Sequence, residues 1–302
     1  DMYAMPDMDN EVLKHIKPGV VVSATRIEPP LHPEGPEKVL MDFGIEPEEF
    51  KEQELMDWYN KDYKPEQETT EGIFAPWAIY KKDFQSIGGH DDLYAPQSKE
   101  DSDIFNRFVL AGYKLVQTWE GFVYHMTCRG SRFADGAKRN PNGEVFMKNR
   151  ETDEWLQQNN RSTRNFIRKW GHFVKHDALL KPIVPPKYNI GFVVKNCSHS
   201  TLYELEPWCS TIYTDWGHKA YIETEQENTM FDLNDRVKSR LEDTPDNDII
   251  VEFDAREFTP EQFNIIAQLP EILANDEGIE KDSVGEFELG IFKIQINSAR
   301  TY

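Results

Sequence analysis

The chain has 302 residues, 38% of them hydrophobic and 12% aromatic, which supports an ordered core in one large domain or two of ordinary size and excludes a disordered chain. Its formal charge of −20, from 34 basic and 54 acidic side chains, argues against nucleic acid and anionic membrane as partners unless a basic patch is strongly segregated. Three cysteines without CxxC spacing (Cys128, Cys197 and Cys209), and the lack of a signal segment or an apolar run of about eighteen residues, lead to the expectation of a cytoplasmic protein with reduced thiols and no membrane span.

Residues 1–16, DMYAMPDMDNEVLKHI, read as the exit of a strand followed by a helix capped by Asp9 or Asn10, with Val12, Leu13 and Ile16 inward. In PGVVVSATRIEPP the run Val20 to Val22 predicts a buried strand. The Pro-, Gly- and Glu-rich segment 32–50 predicts a surface excursion, and Phe50, Leu55, Trp58 and Tyr59 mark one face of a helix. Gly88-Gly89 predicts a tight corner with φ > 0 or a close backbone approach. Beyond it, Ser98 is the expected cap of a helix that Glu100-Asp101 opens and Gly112 ends as a C′ residue. Leu115–Thr118 and Phe122–Tyr124 read as two short strands.

Residues 151–177 predict one or two locally basic helices, carrying Arg161, Arg164, Arg168, Lys169 and Lys175. The proline-rich KPIVPPK places a domain boundary near residue 186. The remainder alternates strand-like (188–196, 219–225, 248–255, 287–296) and helix-like (200–213, 229–243, 259–275) stretches, the pattern of a small α/β domain. It holds no glycine-rich phosphate loop and no metal-spaced ligands, so it reads as a binding or assembly module.

The chemistry concentrates in residues 74–132. A carboxylate at a helix start stays ionised, so Glu100 or Asp101 can serve as a base, although an ordinary acidic helix start explains the pair too. His125 follows a strand, where ligands commonly sit. Asp1, Asp7 and Asp9 offer oxygen ligands to a hard divalent ion. Arg129 and Arg132 can grip a diphosphate by paired donors, or form a solvated basic loop. Trp77 and Tyr80 are either sugar-stacking platforms or core.

Taken in order, these residues resemble the C-terminal part of the catalytic domain of family 2 glycosyltransferases, which have the GT-A fold. Asp1-Met2-Tyr3-Ala4-Met5-Pro6 is similar to the end of that family's DxD motif and its continuation, with Asp1 as the last aspartate. VVVSATRI, Trp77 and Gly88-Gly89-His90-Asp91 match the next strand, the acceptor segment and the Gly-Gly corner. Glu100-Asp101, Arg107 and Gly112-Tyr113 match the catalytic helix, and His125 with Gly130-Ser131 the following strand end. The resemblance covers about residues 1 to 132 and implies a GT-A-like, Rossmann-like mixed sheet over residues 1–185, with a small α/β accessory domain over 186–302. It implies metal-dependent transfer of a sugar from a nucleotide-sugar donor to a glycan or other hydroxyl acceptor. Asp101 would be the base with Glu100 beside it. Asp1 and His125 would hold Mn²⁺ or Mg²⁺, and Arg129 and Arg132 would hold the donor diphosphate. Trp77, Gly88, Gly89 and Asp91 would line the acceptor site. The family's nucleotide-binding βαβ region lies upstream of its DxD motif and has no counterpart here, so the expectation is a chain truncated at its N-terminus. The competing reading is a non-catalytic carbohydrate-binding or assembly protein derived from a transferase; a metal-dependent nuclease fits poorly with the negative charge.

Overall fold

The computed structural model describes residues 2–30, 34–61, 63–126, 137–139, 145–147, 153–275 and 284–302. The chain divides into two compact α/β units: one takes Asp1–Asp91, Asp101–Gln158 and His176–Ile183, the other Asp92–Glu100, Asn159–Lys175 and Val184–Tyr302. Residues 92–100 and 159–175 group with the second unit.

The first unit contains β1 (Met2–Ala4), α1 (Met8–His15), β2 (Val20–Glu28), β3 (Lys38–Leu40), α2 (Glu52–Lys61), β4 (Thr69–Thr70), β5 (Trp77–Ala78), α3 (Lys81–Ser86), α4 (Glu100–Leu110, whose first residue belongs to the other unit) and β6 (Lys114–His125). Its sheet runs β1-β6-β2-β3, with β4 on β6 and β5 on β2. β2 is parallel to β3 and β6, whereas β1 is antiparallel to β6. Val21 packs with Ile104, Phe105 and Phe108 of α4, whereas Val22 and Ala24 pack with Val12 of α1. A helix on each face explains why β2 is buried almost throughout instead of alternating.

The two short strands expected around residues 115–124 are one strand, β6. Its pairing with β2 jumps from Ala24↔Thr118 to Thr25↔Phe122, so Trp119, Glu120 and Gly121 form a bulge. Gly121 fits there because a Cβ would lie 3.1 Å from Glu11 Cβ and from Met8 O. At the start of the unit α1 is capped by Asp7, at φ 60°, and not by Asp9 or Asn10.

After the short pair β7 (Ala137–Arg139) and β8 (Val145–Met147), α5 (Asp153–Trp170) runs from the first unit into the second. The second sheet comprises β9 (Ile190–Lys195), β10 (Thr211–Thr214), β11 (Val237–Ser239), β12 (Ile249–Asp254), β13 (Gly285–Leu289) and β14 (Phe292–Ile296), in the order β11-β10-β9-β12-β14-β13. The first four are parallel and β13 and β14 form an antiparallel hairpin at the edge. Among the helices are α6 (His199–Leu205), α7 (His218–Glu225), α8 (Leu233–Arg236) and α9 (Pro260–Asn275). The α/β class is as expected, but three local readings change. Residues 219–225 form α7 rather than a strand, with Tyr221 and Glu225 buried one helical turn apart. The helix-like stretches 200–213 and 229–243 each end in a strand, β10 and β11, that starts on a buried or half-buried β-branched residue. Stretch 287–296 folds back at Gly290 (φ 63°) into two strands.

The basic stretch on α5 is not a surface patch. Arg164 and Arg168 are buried, and with Arg236 they surround the carboxylates of Glu206 and Glu225. Helical spacing of four between Arg164 and Arg168 puts both on the face that packs into the second unit, with Ile167 in its core. Cys197 and Cys209 are unpaired, and burial pushes both thiols up, that of Cys197 to about 12. Among the described residues no helix is long and apolar enough to cross a membrane.

Candidate active site

The carboxyl ends of parallel strands are where open α/β sheets bind ligands. β2 ends in Thr25-Arg26-Ile27-Glu28, and its neighbour β6 ends in Val123-Tyr124-His125. One position past the last registered pair, Ile27 with Tyr124, stand Glu28 and His125. His125 Nδ1 lies 2.8 Å from Glu28 Oε1. Arg26 Nη1 donates to the same oxygen at 2.8 Å, and Lys38 Nζ lies 3.3 Å from Glu28 Oε2. Glu37 bridges the two cations, 3.5 Å from Arg26 Nη2 and 3.6 Å from Lys38 Nζ. The guanidinium of Arg26 lies over the Phe74 ring, 3.7 Å from its centroid.

The Glu28 side chain has no solvent exposure. Burial alone would raise its carboxyl, but the hydrogen bond with His125 and the charges of Arg26, His125 and Lys38 bring it down to about 2. Burial pulls Arg26 the opposite way, lowering it against the raising influence of Glu28 and Glu37. A charged carboxylate therefore sits inside the strand ends, directly behind His125. Sequence reasoning missed it. The available signal was Arg26-x-Glu28 at the end of an apolar run: two charges on one side of a strand whose other residues are buried.

The second constellation lies around α4. Gly88 and Gly89 take φ 87° and 68°, as the corner requires, and a Cβ on Gly89 would meet the Phe84 ring at 3.3 Å. Arg107 fixes the corner: its Nη1 donates to Ile87 O at 2.7 Å, while its Nε donates to buried Asp103 at 2.8 Å. The Gly-Gly corner is thereby clamped to the helix that Glu100-Asp101 opens. Gly112, at φ 77°, follows the helix as expected. Ser98 is not the cap: its hydroxyl donates to Asn159 Oδ1 at 2.8 Å. Instead the chain enters α4 through two non-glycine residues in the left-handed region, Ser98 at φ 82° and Lys99 at 75°. Such consecutive outliers persist where surrounding structure imposes them, and they cluster at functional sites. Glu100 Oε2 is shielded from solvent and has no hydrogen-bond donor among the described residues.

Trp77 is half-buried, its ring 5.5 Å from Phe108, 6.4 Å from Phe105 and 6.1 Å from His90. It belongs to the packing between β5 and α4, whereas Tyr80 is exposed. Trp77 pairs with Ser23 on β2, five residues or about 17 Å of strand before Glu28. Asp91 stands after the Gly-Gly corner, half-buried. Asp1, Arg129 and Arg132 lie outside the described residues, as does the Gly130-Ser131 match. Met2, which follows Asp1, pairs with His125 across β1 and β6. Asp7 and Asp9 belong to the start of α1, where Asp7 accepts from Asn10 Nδ2 at 3.2 Å. A different group, His15, Glu68 and Glu120, brings three ligand atoms within 4.8 Å of one another; it includes none of the expected ligands.

No family model matches this chain, and no curated protein is significantly similar to it.

Proposed function

We propose that this chain carries the acceptor-and-base part of a metal-dependent glycosyltransferase that moves a sugar from a nucleotide-sugar donor to a hydroxyl acceptor. The observation that supports it most is the Arg107 clamp, which ties the Gly88-Gly89 corner to the helix opened by Glu100-Asp101. In this reading an acceptor hydroxyl lies between the corner and the helix start. Asp101 takes its proton while the backbone NH groups of the first turn keep the carboxylate ionised. Glu100 would add a second acceptor, and Asp91 and the glycine backbone would contact the sugar acceptor. Trp77 would contribute by supporting β5 and α4 from its packed position rather than as an open stacking platform.

His125 would hold the divalent ion together with Asp1, and Arg129 and Arg132 would hold the diphosphate. An imidazole in the donor set fits Mn²⁺ better than Mg²⁺, which prefers all-oxygen ligands. When bound, the ion would offset the charge of the departing nucleotide. The unpaired thiols of Cys197 and Cys209 suit a reducing, cytoplasmic setting.

The test is nucleotide release and product mass from a panel of UDP- and GDP-sugars with Mn²⁺. It is run on this chain and on the chain extended by whatever coding sequence precedes Asp1. Asp101→Asn is expected to lower turnover by about 10²–10⁴-fold, the range of a lost general base. Unchanged turnover would remove Asp101 from that role. Glycan binding that needs neither metal nor nucleotide would favour a carbohydrate-binding protein instead.

A further inference from the structure

We propose that His15, Glu68 and Glu120 form a metal site of their own, which takes a divalent cation of the Zn²⁺ class and clips α1 to the bulge of β6. The proposal does not rest on the transferase reading. The three side chains come from the last turn of α1, the residue before β4 and the bulge itself, and they bring three ligand atoms within 4.8 Å of one another. His15 Nε2 stands 3.8 Å from Glu68 Oε1, beyond hydrogen-bond range. That nitrogen is shielded from solvent and has no hydrogen-bond partner among the described residues. Folding thus leaves a shielded ring nitrogen beside two carboxylates to which it makes no hydrogen bond, an arrangement that a shared cation would satisfy.

The backbone is held at all three positions. Trp119 N donates to Glu68 O at 2.9 Å, and β4 pairs Thr69 with Thr118, so the segment carrying Glu68 lies against the bulge. The Tyr59 hydroxyl donates to Glu120 O at 3.2 Å and the Tyr63 hydroxyl to Trp119 O at 3.1 Å, which anchors the bulge. Val12 packs α1 on Val22, Ala24 and Val116, and the approach at Gly121 leaves little room for a side chain between helix and bulge. The charge balance also favours a cation. Lys14 is the base that the structure pairs with these carboxylates: it forms an ion pair with Glu11 and lies 3.9 Å from Glu120 Oε2. One ammonium among Glu11, Glu68 and Glu120 leaves the cluster negative. In a tetrahedral Zn²⁺ site, bonds of about 2.1 Å put ligand atoms about 3.4 Å apart. The Glu68 and Glu120 side chains are 68% and 39% exposed, so both carboxylates can swing inward and leave a fourth position for water. One imidazole with two carboxylates suits Zn²⁺ better than Mg²⁺ or Ca²⁺, which prefer all-oxygen shells.

The test is calorimetric titration of Zn²⁺ into the metal-free chain, with thermal melting as the second readout. One bound Zn²⁺ is expected to be lost in His15→Gln and kept in His125→Gln. Glu68→Gln and Glu120→Gln should each weaken it at least about tenfold, since losing a residue merely behind a metal ligand already costs about 10–100-fold. Zn²⁺ at about 100 times its dissociation constant should raise the melting temperature of the first unit by about 5–10 °C in the wild-type chain and not in His15→Gln. Mg²⁺ at the same concentration should do neither. Absence of Zn²⁺ binding would overturn the proposal. So would binding that His15→Gln leaves unchanged, which means an adventitious ion only, or an equal response to Mg²⁺, the behaviour of a diffuse acidic surface. If His15→Gln does not fold, Glu120→Gln and Glu68→Gln, the latter altering a well-exposed side chain, decide. Sugar transfer is not a readout of this site, so failure of the transferase reading leaves the proposal standing.

Discussion

Replacing Glu206 by glutamine probes the buried ion network of the second unit. Oε1 of Glu206 accepts from Arg236 Nε at 2.6 Å, and Oε2 accepts from Arg168 Nη2 at 2.6 Å and from the Tyr221 hydroxyl at 2.9 Å. The side chain is wholly buried. Burial alone would raise its carboxyl, but the charges of Arg236 and Arg168 and their hydrogen bonds bring it from 4.5 down to about 2. At 1.36 kcal/mol per pKa unit, that difference corresponds to about 3 kcal/mol of stability. Losing one partner of a buried pair costs about 3–5 kcal/mol in general, so the two routes agree. Glutamine would also turn an amide donor toward guanidinium donors, leaving three arginines to one carboxylate, Glu225. Because the folded-state value is depressed, this stability is fully present above pH 4.5 and drains as the pH falls toward 2. Glu206→Gln should therefore lower stability by about 3 kcal/mol at neutral pH and show less further loss between pH 4.5 and 2. With a slope of about 2 kcal/mol per molar urea, the midpoint for the second unit moves down by about 1.5 M. Urea titration followed by circular dichroism measures it. A shift below about 0.5 M would show that the network contributes far less than its geometry implies.

Gly89→Ala places a side chain at φ 68° and 3.3 Å from Phe84, so thermal melting should show a loss of about 1–2 kcal/mol. Asp7→Gly should act in the opposite direction. Asp7 caps α1 in the left-handed region without a side-chain capping bond, so glycine gains about 0.5–1 kcal/mol in the same assay. Lys187 Nζ donates to the carbonyls of Arg168 and Lys169 near the end of α5, at 2.9 and 2.7 Å. Lys187→Met should cost about 1–2 kcal/mol at neutral pH by leaving those acceptors unmatched. Burial, with the charges of Arg236 and Lys169, pushes Lys187 down to about 8. The unfolded chain then binds more protons between pH 8 and 10.5, so this group makes stability rise across that window. In Lys187→Met that rise should be absent from urea midpoints measured at each pH.

Much of the first unit's local structure was legible because it depends on neighbours in the chain. The Gly88-Gly89 corner and the Gly112 terminus follow from which residues tolerate positive φ. The helix from Glu100 follows from its apolar spacing. Where packing chooses between alternatives, local reading failed. Residues 219–225 hold an apolar pair flanked by polar residues, which suits a short strand or a helix; burial of Tyr221 against the Glu206 network makes them α7. Arg164 and Arg168 read only as part of a locally basic helix because their partners, Glu206 and Glu225, lie some 38 to 61 residues away in sequence.

The sequence by itself determined the alternating α/β character of the chain, its glycine corners, and the acidic helix start that makes Glu100-Asp101 a candidate base. These depend on backbone conformation and on periodicity over a few residues. Only the tertiary structure decided what stands behind His125 and what holds the Gly-Gly corner. Glu28 is 97 residues from His125, and Arg107 is 20 from Ile87. Strand register and helix packing bring each pair together, and a charge gains its meaning from the partner that shares its burial.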